Sequence, residues 1–228
     1  EWQDDAWSAY GQWLVDDINL NRFFFPEDRQ IPDKMAYAVG GRLQVAGIDL
    51  GAHLALATKY TFQSTRSSNS YGYFYVPSAN AGMSDGYIPL TDNYLGYRWG
   101  ENALSVMVEG SSVIGRGERW ELPVAAEVEY VANGSKSPGN PWHELDNAPF
   151  ETEFLNDAVL EHRFRARMVG SVNVWGPFRV HASLDAQQIW NELGVVEISG
   201  EEPYLSPQQG EDRFSMVVDI QVTADLRF

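Results

Sequence analysis

The chain has 228 residues, a net charge of −16, no cysteine, eight Trp and eleven Tyr. No segment approaches the roughly 18 consecutive apolar residues of a transmembrane helix, disulfides and thiolate metal sites are excluded, and the negative charge argues against binding nucleic acid or an anionic lipid surface. Amphipathic aromatics in such numbers gather at membrane interfaces and in sugar-binding sites.

Along the chain the dominant signal is a period of two, apolar against polar, which describes a strand with unlike faces. WSAYGQWLV (7–15) is a weak first instance. Residues 34–45 place Met35, Tyr37, Val39, Leu43 and Val45 on one face and Lys34, Arg42 and Gln44 on the other. Residues 48–62 set Ile48, Leu50, Leu54, Leu56, Tyr60 and Phe62 against Asp49, Gly51, His53, Ala55 and Lys59. SYGYFYV (70–76) and TDNYLGYRW (91–99) are further candidates. Four clear segments follow: 102–114, 119–131, 159–174 and 178–188. The last segment runs from Arg213 to Phe228, with Phe214, Met216, Val218, Ile220, Val222, Ala224, Leu226 and Phe228 on its apolar face.

Globular strands run about 5 to 6 residues, whereas a transmembrane strand needs about 9 to 11. The segments here favour the longer class. Short joins at VAGID, WGEN and VWGPF contrast with long polar joins at 16–33, 63–90, 132–158 and 191–211. Short turns at one end and long loops at the other are the pattern of an outer-membrane barrel. If 70–76 is a strand, the expected fold is an antiparallel transmembrane β-barrel of about ten strands, an even number. That topology leaves 77–90 at the short-turn end. No linker divides the chain, so 1–228 reads as one domain. Beginning at Glu1 with no leader, it reads as a mature form or as part of a longer chain.

The polar face is often small, as at Gly51, Ala55, Ala57, Ser105, Ala125, Ser171 and Ser183, which suits a crowded lumen. Aromatics fall near strand ends, among them Tyr130, Trp175, Phe178, Trp190 and Phe228, as in interfacial girdles. His162 falls on the apolar face, against the pattern. A soluble β-sandwich or lipocalin-like barrel also alternates. The deciding observation is whether Leu54, Val106, Val128 and Met168 face outward or pack on a second sheet.

A long strand closing on a C-terminal Phe resembles the last strand of outer-membrane barrels, whose terminal Phe belongs to the assembly signal. WLVDDI, IPDKMAYAVGG, DNYLGYRWGENALSVMVEG and SKSPGNPWHE resemble stretches of the Wzi-like capsule-assembly family of outer-membrane barrels. Family members are longer, so the chain would correspond to their C-terminal half, or to a smaller relative. The resemblance implies an outer-membrane protein inserted by the barrel-assembly machinery. It also implies a cell-surface role on polysaccharide, as a lectin rather than an enzyme.

Arg163, Arg165 and Arg167 are three inward cations on one strand. They read either as a basic strip for anionic solutes or sugar acids, or as a salt-bridge ladder filling a narrow barrel. Pairing residue 131 with 159 would set Glu127 near Arg163, and the turn at Gly176 would set Arg167 near Asp185. His53 and His181 face inward with Ser105, Ser171 and Ser183, but nothing local marks a nucleophile, so no enzyme is expected. The acidic loop HELDNAPFETEFLND (143–157) fits no calcium-loop spacing. No cofactor or metal is expected. Tyr71, Tyr73, Trp142 and Tyr204 are candidate sugar-stacking residues. The expected function is binding or anchoring of surface polysaccharide; the alternatives are a narrow passive pore and a soluble β-sandwich binding protein.

Overall fold

The computed structural model describes residues 2–4, 6–17, 21–25, 34–57, 99, 102–115, 121–135, 154–175, 178–197 and 204–224. The alternating segments are strands: β1 (Trp2–Asp4), β2 (Trp7–Asp17), β3 (Lys34–Val45), β4 (Ile48–Ala57), β5 (Ala103–Ile114), β6 (Leu122–Asn133), β7 (Glu161–Trp175), β8 (Phe178–Trp190), β9 (Leu193–Val196), β10 (Tyr204–Pro207) and β11 (Arg213–Ala224). One helical turn, α1 (Asn21–Phe24), lies between β2 and β3. A single antiparallel sheet of nine strands runs in the order β1-β2-β3-β4-β5-β6-β7-β8-β11, and β9 pairs with β10 as a separate hairpin.

Because each strand of the sheet lies beside its chain neighbour, the connections sort by length. The strand ends joined through 46–47, 115–121 and 176–177 lie at one end of the sheet, and those joined through 18–33, 58–102, 134–160 and 191–212 lie at the other. Ala46 and Gly47 both have positive φ, 51° and 81°, as a two-residue hairpin turn matched to the strand twist requires. Glycine takes that conformation freely, and alanine carries some strain.

Two expectations are corrected. Strand β4 pairs directly with β5, through Leu54↔Val106 and Ala55↔Ser105. No strand is inserted between them, whether from 70–76 or from 91–99. Residues 70–76 and 91–98 lie outside the described residues, and Trp99 is in a turn shortly before β5. With direct β4–β5 pairing the connection pattern is regular without a further strand in the sheet.

The register of β6 against β7 also differs. The ladder runs Asn133↔Glu161, Val131↔Arg163, Glu129↔Arg165 and Glu127↔Arg167, so Glu127 lies opposite Arg167 and not Arg163. The expected register is four residues away. An even shift leaves every side chain on its own face, so alternation cannot choose between the two. A polar pair does so, because Asn133 Nδ2 donates to Glu161 Oε1 at 3.3 Å.

The sheet has a mostly apolar and a mostly polar face; Val131 and Ile189, in the row of Arg163, and Val217, opposite Asp185, are apolar residues on the polar one. Gly41, Ala52, Val108, Val128, Ala166, Ala186 and Met216 form one apolar row across seven strands. One residue away lies the polar row of Arg42, Gly51, Glu109, Glu127, Arg167 and Asp185. Burial is inverted relative to a water-soluble protein. Leu54, Val106, Val128 and Met168 are 37%, 40%, 42% and 55% exposed, and among the described residues no second sheet covers them. Glu161 and Glu129, on the polar face, are 1% and 4% exposed. Among the described residues the buried apolar set is small: Ala103, Val131, Ala132 and Ile189. Gln44 and Asp49 share one cavity with Asp219 and Gln221 of β11. The sheet is therefore curled, with the polar face inside.

Candidate functional site: the concave polar face

The polar face changes character from one end to the other. Toward the short turns it is open. A cavity of about 670 Å³ is lined by Ser8, Arg42, Asp49, Glu109, Glu127 and Arg167, among others. A second of about 780 Å³ adjoins it and shares Gln44, Asp49, Ser111 and Arg167.

Midway, ion pairs bridge strands that are not neighbours. Arg42 of β3 reaches Glu109 of β5 at 2.9 Å, across β4. It passes over Gly51, where a Cβ would lie 2.8 Å from Glu109 Cγ. Tyr10 Oη of β2 reaches His53 Nδ1 of β4 at 2.9 Å, across β3. It passes over Gly40, where a Cβ would lie 2.6 Å from the Tyr10 ring. His53 Nε2 donates to Glu109 Oε1 at 3.4 Å, joining the two bridges. Each glycine is thus a gap in the side-chain layer through which charge or hydroxyl pairs meet.

At the long-loop end the face carries buried polar clusters. Buried Glu161 accepts from Leu193 N at 2.8 Å, Arg163 Nη2 at 3.1 Å and Asn133 Nδ2 at 3.3 Å. Leu193 opens the β9–β10 hairpin, so Glu161 fastens that hairpin to the sheet. Asn102, fully buried, donates to Asp157 Oδ2 at 2.9 Å and accepts from Leu155 N at 2.6 Å. Ser135 donates to the other oxygen of Asp157. Ser135, Leu155, Asp157 and Leu193 are thereby all tied to the same end of the face. Desolvated carboxylates hold only where their lone pairs are filled, and these are filled by backbone and side-chain donors.

The arginine strip resolves into three different situations. Arg163 pairs with Glu161 and lies over the Trp99 ring, 4.8 Å from its centroid. Trp99 itself donates from Nε1 to Glu129 Oε1 at 3.2 Å. Arg165 forks onto Asp185, with Nε at 3.0 and 3.1 Å from the two oxygens. Arg167 lies opposite Asp185 in register, but the side-chain pair is the diagonal one with Arg165. Among the described residues Arg167 has no ion pair or hydrogen bond, and it lines both cavities. Two rungs of a ladder are therefore present, and the third cation faces open space. Arg165→Ala is expected to cost about 2 kcal/mol, because it strands Asp185 in a setting about three-quarters desolvated. Arg167→Ala is expected to change stability by less than about 0.5 kcal/mol. Thermal unfolding of the two variants in one detergent checks the contrast.

Of the other candidates, Tyr71, Tyr73, Trp142 and the terminal Phe228 lie outside the described residues, and of Tyr204 only the backbone, in β10, is described. His53 is engaged by Tyr10 and Glu109, and no Ser–His hydrogen bond occurs among the described residues. No group of three His, Asp or Glu suited to a metal is found among them either. His162, the exception on the apolar face, meets Tyr130 Oη at 2.7 Å through Nδ1. It lies in the row of Tyr37 and Trp190 near the long-loop end.

Sequence reading missed Asn102, Asp157 and Glu161. None sits in a motif, and Asn102 and Asp157 are 55 residues apart. The break of alternation at Gly40–Gly41 was a usable signal for the gap beneath Tyr10. Comparison with protein-family models, curated proteins and solved structures finds no match to this chain.

Proposed function

We propose that this chain is the wall of an outer-membrane β-barrel with a non-catalytic role at the cell surface, binding or anchoring polysaccharide. The observation that carries the membrane reading is the inverted burial: a continuous apolar face left outward and buried carboxylates on the concave face. In water such a face would drive association, whereas in a bilayer it is the required one.

Dimensions support it. From Phe178 to Trp190, β8 carries aromatics at both ends of its outward face. Twelve steps of about 3.3 Å, tilted about 40°, span roughly 30 Å along the membrane normal, close to the hydrocarbon thickness. Trp13 stacked on Tyr37, with Tyr130, His162, Phe164 and Trp190, makes an aromatic band at the long-loop end. His162 has a place there, since polar groups at a girdle reach the interface.

The surface role rests on the resemblance to Wzi-like stretches and on the buried polar clusters at the long-loop end. Buried polar clusters around Glu161 and Asn102, which anchor described parts of the long connections, favour loops held in place to bind over a bore that conducts. The test has two arms. The purified protein is reconstituted and scored for conductance in planar bilayers, and separately for retention of acidic and neutral capsular polysaccharides. Polysaccharide retention without steady conductance is the expected result. Conductance without retention would replace this reading with that of a narrow pore, and recovery as a detergent-free soluble protein would overturn the membrane reading itself.

A further inference from the structure

The sheet leaves two long backbone edges open. Along β11, Arg213–Ala224 pair only with β8, and the opposite edge has no partner among the described residues. On the other side β1 covers β2 at Trp7, Ser8 and Ala9, and among the described residues the outer edge from Tyr10 to Asp17 has no partner. Unpaired backbone donors and acceptors are not tolerated against lipid. We propose that β11 closes onto β2 of the same chain with a stagger of ten residues, giving a barrel of the nine sheet strands less β1. This rests on the membrane reading above and goes beyond it by naming the strands, the seam and the register.

Three features on the molecule support intrachain closure. The strand directions fit, because neighbours alternate and β2 and β11 are seven neighbours apart in the sheet order, so they run antiparallel. Setting β1 aside leaves an even number of strands, as closed antiparallel barrels prefer. The curl is already large, since Gln44 of β3 and Thr223 of β11 line the same cavity.

The register follows from geometry. Traced straight across the sheet, Ala9 leads through Gly41, Ala52, Val108, Val128, Ala166 and Ala186 to Met216. A closed barrel tilts its strands by about 35 to 45°, and that tilt fixes the offset on returning to the first strand. For about eight strands spaced roughly 4.8 Å, with a rise of about 3.3 Å, an offset of ten residues gives a tilt of about 41°. Offsets of about eight and twelve give roughly 35° and 46°, at the limits of the range. Odd offsets are forbidden, because they would turn the apolar face of β11 inward.

An offset of ten in the other direction carries β11 past the lower end of β2, leaving almost no overlap. The remaining solution sets Val15 opposite Ile220, Trp13 opposite Val222, and Gly11 opposite Ala224. Among the described residues this seam stops at Gly11, short of the three β2 residues that pair with β1. An offset of eight would instead set Ala9, already paired with Trp2, against Ala224.

The chain has no cysteine, so paired cysteines report on the seam without background. Directly opposed positions fall within disulfide reach. In the reconstituted protein, Gln12→Cys with Thr223→Cys is expected to form an intrachain disulfide in high yield. Gln12→Cys with Arg213→Cys, which pairs without stagger, is expected to stay reduced. A covalent dimer from the first pair, or efficient cross-linking of the unstaggered pair, would overturn the proposal. So would a reduced first pair in protein that is folded by circular dichroism and membrane-inserted, an outcome that leaves the membrane reading standing. Recovery of both variants as soluble, detergent-free protein would instead remove the reading on which the proposal rests.

Discussion

Glu161→Ala is expected to destabilise the protein by about 3 to 5 kcal/mol, the cost of removing one member of a buried charge pair. The carboxylate accepts from Leu193 N, Asn133 Nδ2 and Arg163 Nη2 at once. Its loss leaves a guanidinium, an amide N–H and a carboxamide without an acceptor at a site with almost no solvent contact. Because Leu193 belongs to the β9–β10 hairpin, the damage is expected to be local before it is global. Protease cleavage within 191–212 should rise below the melting transition, while the β6–β7–β8 ladder keeps its circular dichroism signal. Glu161→Gln keeps one acceptor and loses the charge, so it should fall between wild type and the alanine variant. Thermal unfolding in detergent, with limited proteolysis alongside, checks both effects. Unchanged proteolysis of the alanine variant would mean that the hairpin is held by something other than Glu161.

The second large effect separates lipid from water as the medium outside the sheet. Val128 lies mid-strand in β6 on the outward face, and Val222 lies near the short-turn end of β11. Both are exposed. Arginine on a lipid-facing barrel position costs about 2 to 4 kcal/mol at the midplane and about 0 to 1 near the interface. On a water-facing strand the same change stays within about 0.5 kcal/mol at either site. Val128→Arg is therefore expected to destabilise strongly and Val222→Arg weakly, measured as the shift in denaturant midpoint in bilayers. Equal, small shifts would place the apolar face in water.

Most of the sheet was legible because period-two patterning is written into single side chains, and a face is a local property. Val106, Val128 and Met168 were assigned outward from their neighbours alone, and their exposure agrees. What alternation cannot carry is anything that depends on which strand lies alongside. The β6–β7 register moved by an even step that no face would detect, and it is set by Asn133 and Glu161 at the ladder's end. Direct β4–β5 pairing was hidden behind a long intervening segment with alternation of its own. The Arg42–Glu109 and Tyr10–His53 bridges each cross an intervening strand at a glycine. That relation exists only once three strands are in register. Arg165 and Asp185 were both assigned inward, yet the straight-across rule chose Arg167 as the partner. A long guanidinium can reach the diagonal position two residues along, and here it does so.

The central claim is that the apolar face lies against hydrocarbon and the polar face around an aqueous lumen. A single cysteine is placed in turn at Val108, Met168 and Val218, which point outward, and at Ser111, Val169 and Ser183, which point inward. Each carries a polarity-sensitive fluorophore, in bilayers whose acyl chains are brominated. Outward labels should be strongly quenched and blue-shifted, and inward labels should respond to a water-soluble quencher instead. Equal access of the water-soluble quencher to both sets, with no quenching by the brominated chains, would contradict the claim.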